Sequence, residues 1–413
     1  MRKLRAILRR ISASVIDQAV SSLTSLGMSV AIASQVNARS FGAFGVAFVV
    51  YVLLLGAFRA SIGESLLVRT DKSPTDSSAV FTAAVLVAVP ACGLTAIVGF
   101  AIGGELRGAL LGLAVILPFA LIQDAFRYIG FSVGRPGIAL MGDIVWALTQ
   151  AVLFAAAIIA GSESLFAYMA LWAAAAVVSL LAMWGKFRPL LQPSELLSWL
   201  KQRQHLWPRF LAEYFCVSGV QQSALFVLAI FGGLSQAGGY RAAQVVLGPA
   251  NVVALGAAVV VLPTASALAR AGSKSQTLFR FSATVSVALA TMTLTYVGLL
   301  LLIPDEIGSR LLGDSWSGGR DLFLLCGVLI VISNISYGAT VMIRATENAK
   351  ASLRLRVVFI PFTLAMMIYG AWFGGASSMV VAMSCVGVLQ SVAWWALYTY
   401  LVRRRPAVTV GGS

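Results

Sequence analysis

Six ionisable side chains stand inside long apolar runs of this chain: Asp17, Arg59, Glu64, Asp124, Asp143 and Glu213. A charge at the centre of a membrane-spanning helix costs about 2.5–3.5 kcal/mol on insertion scales, so such a group turns toward protein or a water-filled cavity and takes a partner. Three kinds of chemistry are open to these groups: ion pairing between helices, exchange of a proton, and capture of a charged ligand. Arg59 is the most telling, because it lies about 14 Å of helix from the nearer end of its run, too deep to reach water by stretching. It needs a carboxylate or a ligand anion, and Asp17 on the preceding run is the expected partner. Guanidinium geometry also suits a phosphate. Asp124 and Arg127 are three residues apart, so they share a helix face and can pair. Gln221 follows Glu213 by eight residues on nearly the same face. Plain interhelical bonding explains many such polar groups, and Asp17 and Glu64 are near enough to helix ends to reach the interface.

The elements that must position these groups follow from composition. Of 413 residues, 59% are hydrophobic and only 11% charged. That excludes a soluble globular domain and a disordered chain. With about 20 residues per crossing, the apolar content suffices for roughly a dozen spanning helices. The hydropathy pattern predicts twelve, at 12–35, 42–68, 77–103, 106–129, 138–160, 164–184, 208–231, 240–265, 277–303, 320–343, 353–373 and 377–402. The fold class is therefore all-α and polytopic. Alternate loops hold 24 of the 30 Lys and Arg residues, against five in the others. The positive-inside rule then puts both termini in the cytoplasm. The net charge of +15 is read as loops meeting anionic lipid, with no basic–aromatic stripe to suggest nucleic acid.

Five cations in residues 1–10 precede the first apolar run, but its length and its Asp17 and Gln18 favour an uncleaved helix over a signal peptide. Cys92, Cys216, Cys326 and Cys385 lie in four different runs, with no CxxC pair, and read as small apolar residues. His205 is the sole histidine, and no nucleotide-binding loop or metal-ligand spacing occurs. An enzyme, a metal and a resident cofactor are all unexpected. The segment 186–207 carries two prolines and an amphipathic stretch at 196–199, and marks the middle of the chain. Shifting the chain by 196 residues lays Asp17 on Glu213, Gly42 on Gly238, Phe44 on Tyr240 and Ala47 on Ala243. Two like-oriented six-helix lobes, 1–185 and 208–413, follow, related by an axis along the membrane normal.

Particular strings carry a resemblance. Asp17-Gln18-Ala19-Val20-Ser21-Ser22, then Phe41-Gly42-Ala43-Phe44, then Gln123-Asp124-Ala125-Phe126-Arg127-Tyr128 with Gly134-Arg135-Pro136 and Asp143, resemble polysaccharide-biosynthesis or O-antigen-type flippases, actinobacterial members in flavour. These are part of the multidrug/oligosaccharidyl-lipid/polysaccharide (MOP) exporter superfamily. The resemblance implies two pseudo-symmetric lobes around a central cavity with alternating access. It implies movement of a prenyl-phosphate-linked glycan across the inner membrane of a bacterium, driven by a proton or sodium gradient. Glycan-assembly enzymes are the implied partners. From their place inside apolar runs, Asp17, Arg59, Glu64, Asp124, Arg127, Asp143, Glu213 and Gln221 are the candidate pathway residues, with Asp17 and Glu213, one per lobe, expected to titrate or pair. One buried arginine against five carboxylates keeps cation-coupled multidrug antiport open as the alternative.

Overall fold

The computed structural model describes residues 20–68, 74–187 and 190–403. Helix α1 covers Val20–Ala33, α2 Ala38–Leu67, α3 Pro74–Ile102, α4 Gly104–Ser132, α5 Pro136–Ile159 and α6 Leu165–Phe187. A short helix α7, Pro193–Gln202, precedes α8, Trp207–Phe231. Then come α9, Leu234–Arg270, α10, Ser275–Leu301, the short α11, Asp305–Leu312, and α12, Ser315–Ala345. The last helical stretch, Ala349–Arg403, breaks at Gly374–Gly375, giving α13 before the break and α14 after it. Among the described residues there is no β-strand.

The break is a true hairpin. In a straight helix Gly370 and Met379 would be about 13 Å apart. Instead a Cβ on Gly370 would meet Met379 Cα at 2.6 Å. Gly375 turns the chain at φ +64°, a left-handed conformation that a Cβ disfavours. Gln236 holds the turn by accepting the Ala376 backbone N–H at 2.7 Å.

Nine described helical stretches are long and apolar enough to cross a membrane. Separating α13 from α14, and adding α1 and the 37-residue α9, brings the crossings to twelve. Their bounds shift from expectation where polar residues extend a helix past the apolar core. α2 begins at Ala38, because Asn37 Oδ1 caps it by accepting the Ser40 N–H at 2.8 Å. α9 begins at Leu234, 196 residues after Ala38, the same offset that aligns the sequence with itself. The third residue of each helix is a polar clamp: Ser40 Oγ donates to Glu105 Oε2 at 2.8 Å, and Gln236 holds the α13–α14 turn.

The chain divides into two compact units, one reaching to Leu225 and including Ser309–Ser315, the other formed by Phe226–Gly308 and the chain from Trp316 onward. The division falls inside α8. The core of the first unit joins Phe58 and Ile62 of α2, Val80 and Ala84 of α3, Leu121 and Phe126 of α4, Met183 of α6, and Leu196 and Trp199 of α7. The core of the second packs Ala265, Leu278, Ala339, Met342 and Trp394. There α10 and α12 approach closely: Gly338 N–H donates to Ser286 Oγ at 2.9 Å, and a Cβ on Gly338 would collide with the Ser282 carbonyl. Small residues at such crossings let helix backbones touch, which is the main source of helix association in lipid. Gly338→Val should therefore cost about 1–3 kcal/mol, checked as a lowered midpoint in thermal unfolding of the detergent-purified protein.

Candidate functional site

The buried charges of the first unit form one network. Arg59 lies on α2 where the helix widens into a π-turn, Arg59–Gly63. Such an inserted residue loosens the backbone ladder and commonly marks a functional position. Ser61 adds to the distortion, its Oγ donating back to the Ala57 carbonyl at 2.6 Å. Across from it, Asp124 on α4 accepts from Arg59 Nε at 3.0 Å at both carboxylate oxygens and from Nη2 at 2.7 Å. Arg127 Nη1 donates to the same Asp124 at 3.0 Å, and Arg127 Nη2 reaches Asp143 Oδ2 on α5 at 3.2 Å. Gln123 Nε2 donates to Asp143 Oδ1 at 3.0 Å and to Ser179 Oγ at 3.4 Å, and Ser179 donates to the Gly142 carbonyl at 2.8 Å. Helices α2, α4, α5 and α6 are thereby tied through a single alternating chain.

Among the described residues two guanidinium groups of this chain face two carboxylates. Its members differ in access. The Asp124 side chain is 1% exposed and those of Arg127 and Asp143 are 9%, whereas Arg59 is 36% exposed. Arg59 lines a cavity of about 50 Å³ together with Asp124, Arg127 and Asp143, room for a few waters or one small polar group. Among the described residues no bond engages its Nη1. Tyr51, Trp146 and Trp172 supply aromatic wall, with Tyr51 and Trp172 edge to face at 4.8 Å. On α5, Asp143, Trp146 and Gln150 recur at helical spacing. Trp146 Nε1 donates to Gln150 Oε1 at 3.1 Å, and Gln150 Nε2 donates to the Thr24 carbonyl of α1 at 3.3 Å.

Two tyrosines clasp α2 beside Arg59. Tyr214 of α8 lies against Gly56 and donates its hydroxyl to the Val52 carbonyl at 2.9 Å, while the Tyr128 ring lies 2.6 Å from where a Gly63 Cβ would stand. A side chain at either glycine would push α2 away and carry Arg59 with it.

Several sequence-predicted groups lie elsewhere. Asp17 falls outside the described residues, and the observed carboxylate partner of Arg59 is Asp124, because α4 presents it directly opposite the π-turn. Arg127, on one helix face with Asp124 as its spacing predicts, is buried, and α4 continues past it to Ser132. Among the described residues the buried set of the first unit is consequently two arginines against two carboxylates. Glu64, Glu213 and Gln221 are exposed and take no part in the network. Glu64 and Glu213 lie where the end of α2 meets α8. Sequence reasoning passed over Gln123, Ser179, Tyr51 and Trp172, whose types are common in any membrane helix. Among the described residues no three His, Cys, Asp or Glu side chains converge as metal ligands.

Solved structures share this architecture over nearly the whole chain. An inward-facing multidrug-resistance MATE family transporter of the MOP superfamily matches with a TM-score of 0.75 at 12% identity, over 94% of this chain and 98% of that one. Lipid II flippase MurJ in an inward closed conformation matches with a TM-score of 0.71 at 12% identity, over 96% of this chain and 88% of that one. A MOP superfamily transporter from Pyrococcus furiosus, described as having a binding pocket of reversed polarity, matches with a TM-score of 0.55 at 14% identity, over 96% and 95%. The fold is that of the MATE and MurJ transporters. The chain is accordingly a helical, multi-pass membrane protein. Neither a protein-family model nor a curated protein matches the sequence. Within this MATE/MurJ fold the charge network is confined to the first unit.

Proposed function

We propose that this protein is an alternating-access transporter that carries a prenyl-phosphate-linked oligosaccharide or polysaccharide precursor across the inner membrane of a bacterium. The observation that carries the reading is Arg59: a guanidinium at mid-helix depth, one-third exposed on a polar cavity, with one nitrogen uncommitted among the described residues. A diphosphate headgroup fits that donor, and aromatic faces beside it suit a sugar ring, while the prenyl tail stays in lipid. The likeness to a lipid II flippase supports the same class of cargo. In this reading lobes 1–185 and 208–413, joined by 186–207, exchange access to the two leaflets, with both termini cytoplasmic and a proton or sodium gradient as the drive. Glycan-assembly enzymes would supply and consume the cargo. Leaflet-resolved labelling of lipid-linked sugar in a depletion strain tests it. The sugar should accumulate on the inner leaflet, and its undiminished arrival outside would refute the reading.

Cation-coupled multidrug antiport is the second reading, and the two buried carboxylates that line the cavity favour it. Asp124 and Asp143 can receive a cation that displaces an arginine, and the likeness to MATE transporters supports it equally. In proteoliposomes an antiporter should take up organic cation against a pH gradient and lose that uptake with Asp124→Asn.

A further inference from the structure

Helix α7 is a feature that transport chemistry does not use. Its inner face is locked to the first unit. Leu196 and Trp199 are buried in the core of that unit. Arg203, just past the helix, is 2% exposed, stacks over the Trp199 ring at 4.1 Å and pairs with Asp76 of α3 at 3.0 Å. The strand of chain leading in is pinned as well, the Gln192 N–H donating to Thr82 Oγ1 of α3 at 2.9 Å. This segment is therefore held at a fixed height against the end of α3.

Its outer face has the opposite character. Leu190, Leu191 and Leu197 are 65%, 59% and 62% exposed. Lys201 is exposed one turn beyond Leu197, on the same helix face, and Lys186 at the end of α6 and Arg209 at the start of α8 are exposed too. The only acidic residue from Lys186 to Arg209 is Glu195, in the first turn of α7, where it favours the helix dipole. Leu197 on the docked helix and Leu190 and Leu191 in the chain leading into it, ringed by cations at the level where membrane-spanning helices end, match one environment: the boundary between acyl chains and anionic headgroups.

We propose that α7 is an in-plane anchor that binds anionic phospholipid, these leucines seated among acyl chains and Lys186, Lys201 and Arg209 on the headgroups. The clamp of Arg203 on Asp76 then passes the position of the lipid surface to α3, so the first unit is held at a set depth by the leaflet's charge. A soluble protein partner on the leucines is the competing occupant.

The test uses the whole chain in nanodiscs of phosphatidylcholine, with or without phosphatidylglycerol. Leu197→Cys is placed in a background with the four native cysteines replaced and is labelled with a charged, membrane-impermeant maleimide. Labelling should be about tenfold slower when phosphatidylglycerol is present, and Lys186→Gln with Lys201→Gln should remove that difference. Equal rates in the two lipids overturn the proposal, as does a difference that survives removal of the lysines. Native mass spectrometry of the protein with its own cysteines gives a second reading. Phosphatidylglycerol should be retained over phosphatidylcholine by the unmodified chain and not by the double-lysine variant; equal retention by both overturns the proposal.

Discussion

Arg59→Ala should lower the amount of folded protein and abolish transport, and adding Asp124→Asn should restore the amount without restoring transport. Removing Arg59 takes away the bidentate partner of a carboxylate that is 1% exposed, leaving Asp124 to Arg127, which also serves Asp143. Among the described residues Asp124 and Asp143 then share one guanidinium. Breaking a buried pair from one side typically costs about 3–5 kcal/mol, most of it the stranded charge. Neutralising Asp124 in the same chain removes that charge and leaves Arg127 paired with Asp143. Fluorescence-detected size-exclusion chromatography reads the folded amount, and leaflet-resolved labelling of lipid-linked sugar reads the transport. If Arg59 only braces α2 against α4, the double variant regains both. If Arg59 holds the cargo's anion, it regains the amount alone. Arg59→Lys separates geometry from charge: an ammonium keeps the sign but loses the planar fork, so it should keep abundance and lose most of the transport.

Much of this site could be read in the sequence, and the limits of that reading are physical. The depth of Arg59 in an apolar run demanded a partner, and the spacing of Asp124 and Arg127 placed both on one face of α4. The partner seen, Asp124, was not foreseen, and the expected one, Asp17 on the run nearer in sequence, lies outside the described residues. Register between helices distant in sequence depends on packing, and no local pattern encodes it. A usable signal did exist for the second pair. Arg127 lies eight residues before Arg135 and Asp143 eight after, and the Gly134-Arg135-Pro136 turn makes α4 and α5 an antiparallel hairpin. Residues equidistant from a tight turn meet, and these two do, at 3.2 Å. The helix count was legible because twelve apolar runs each exceed the bilayer's need. The π-turns in α2 and α8 were not, because a single inserted residue leaves no mark on hydrophobic periodicity.

The hub of the network is Arg127, and Arg127→Ala should therefore destabilise the protein more than Arg59→Ala does. Arg59 touches one carboxylate and has access to the cavity, whereas Arg127 is 7% exposed and ties Asp124 to Asp143. Without it Asp124 keeps Arg59, whereas Asp143 loses its guanidinium contact and retains the neutral amide of Gln123 at 3.0 Å. A buried carboxylate that loses its cationic partner is costly, and the packing of α5 on α4 and α6 depends on that corner, where Ser179 also bonds the Gly142 carbonyl. The expected loss is at the upper end of about 3–5 kcal/mol, seen as an unfolding midpoint in detergent lower than that of Arg59→Ala. Asp143→Asn in the same chain should recover most of it, because an amide satisfies Gln123 without a charge to compensate. Asp124→Asn added to Arg127→Ala should recover none, since it strands Arg59 as well. That asymmetry between the two rescues, measured on matched thermal-unfolding curves, distinguishes a directed chain of pairs from a diffuse polar cluster, in which either neutralisation would help equally.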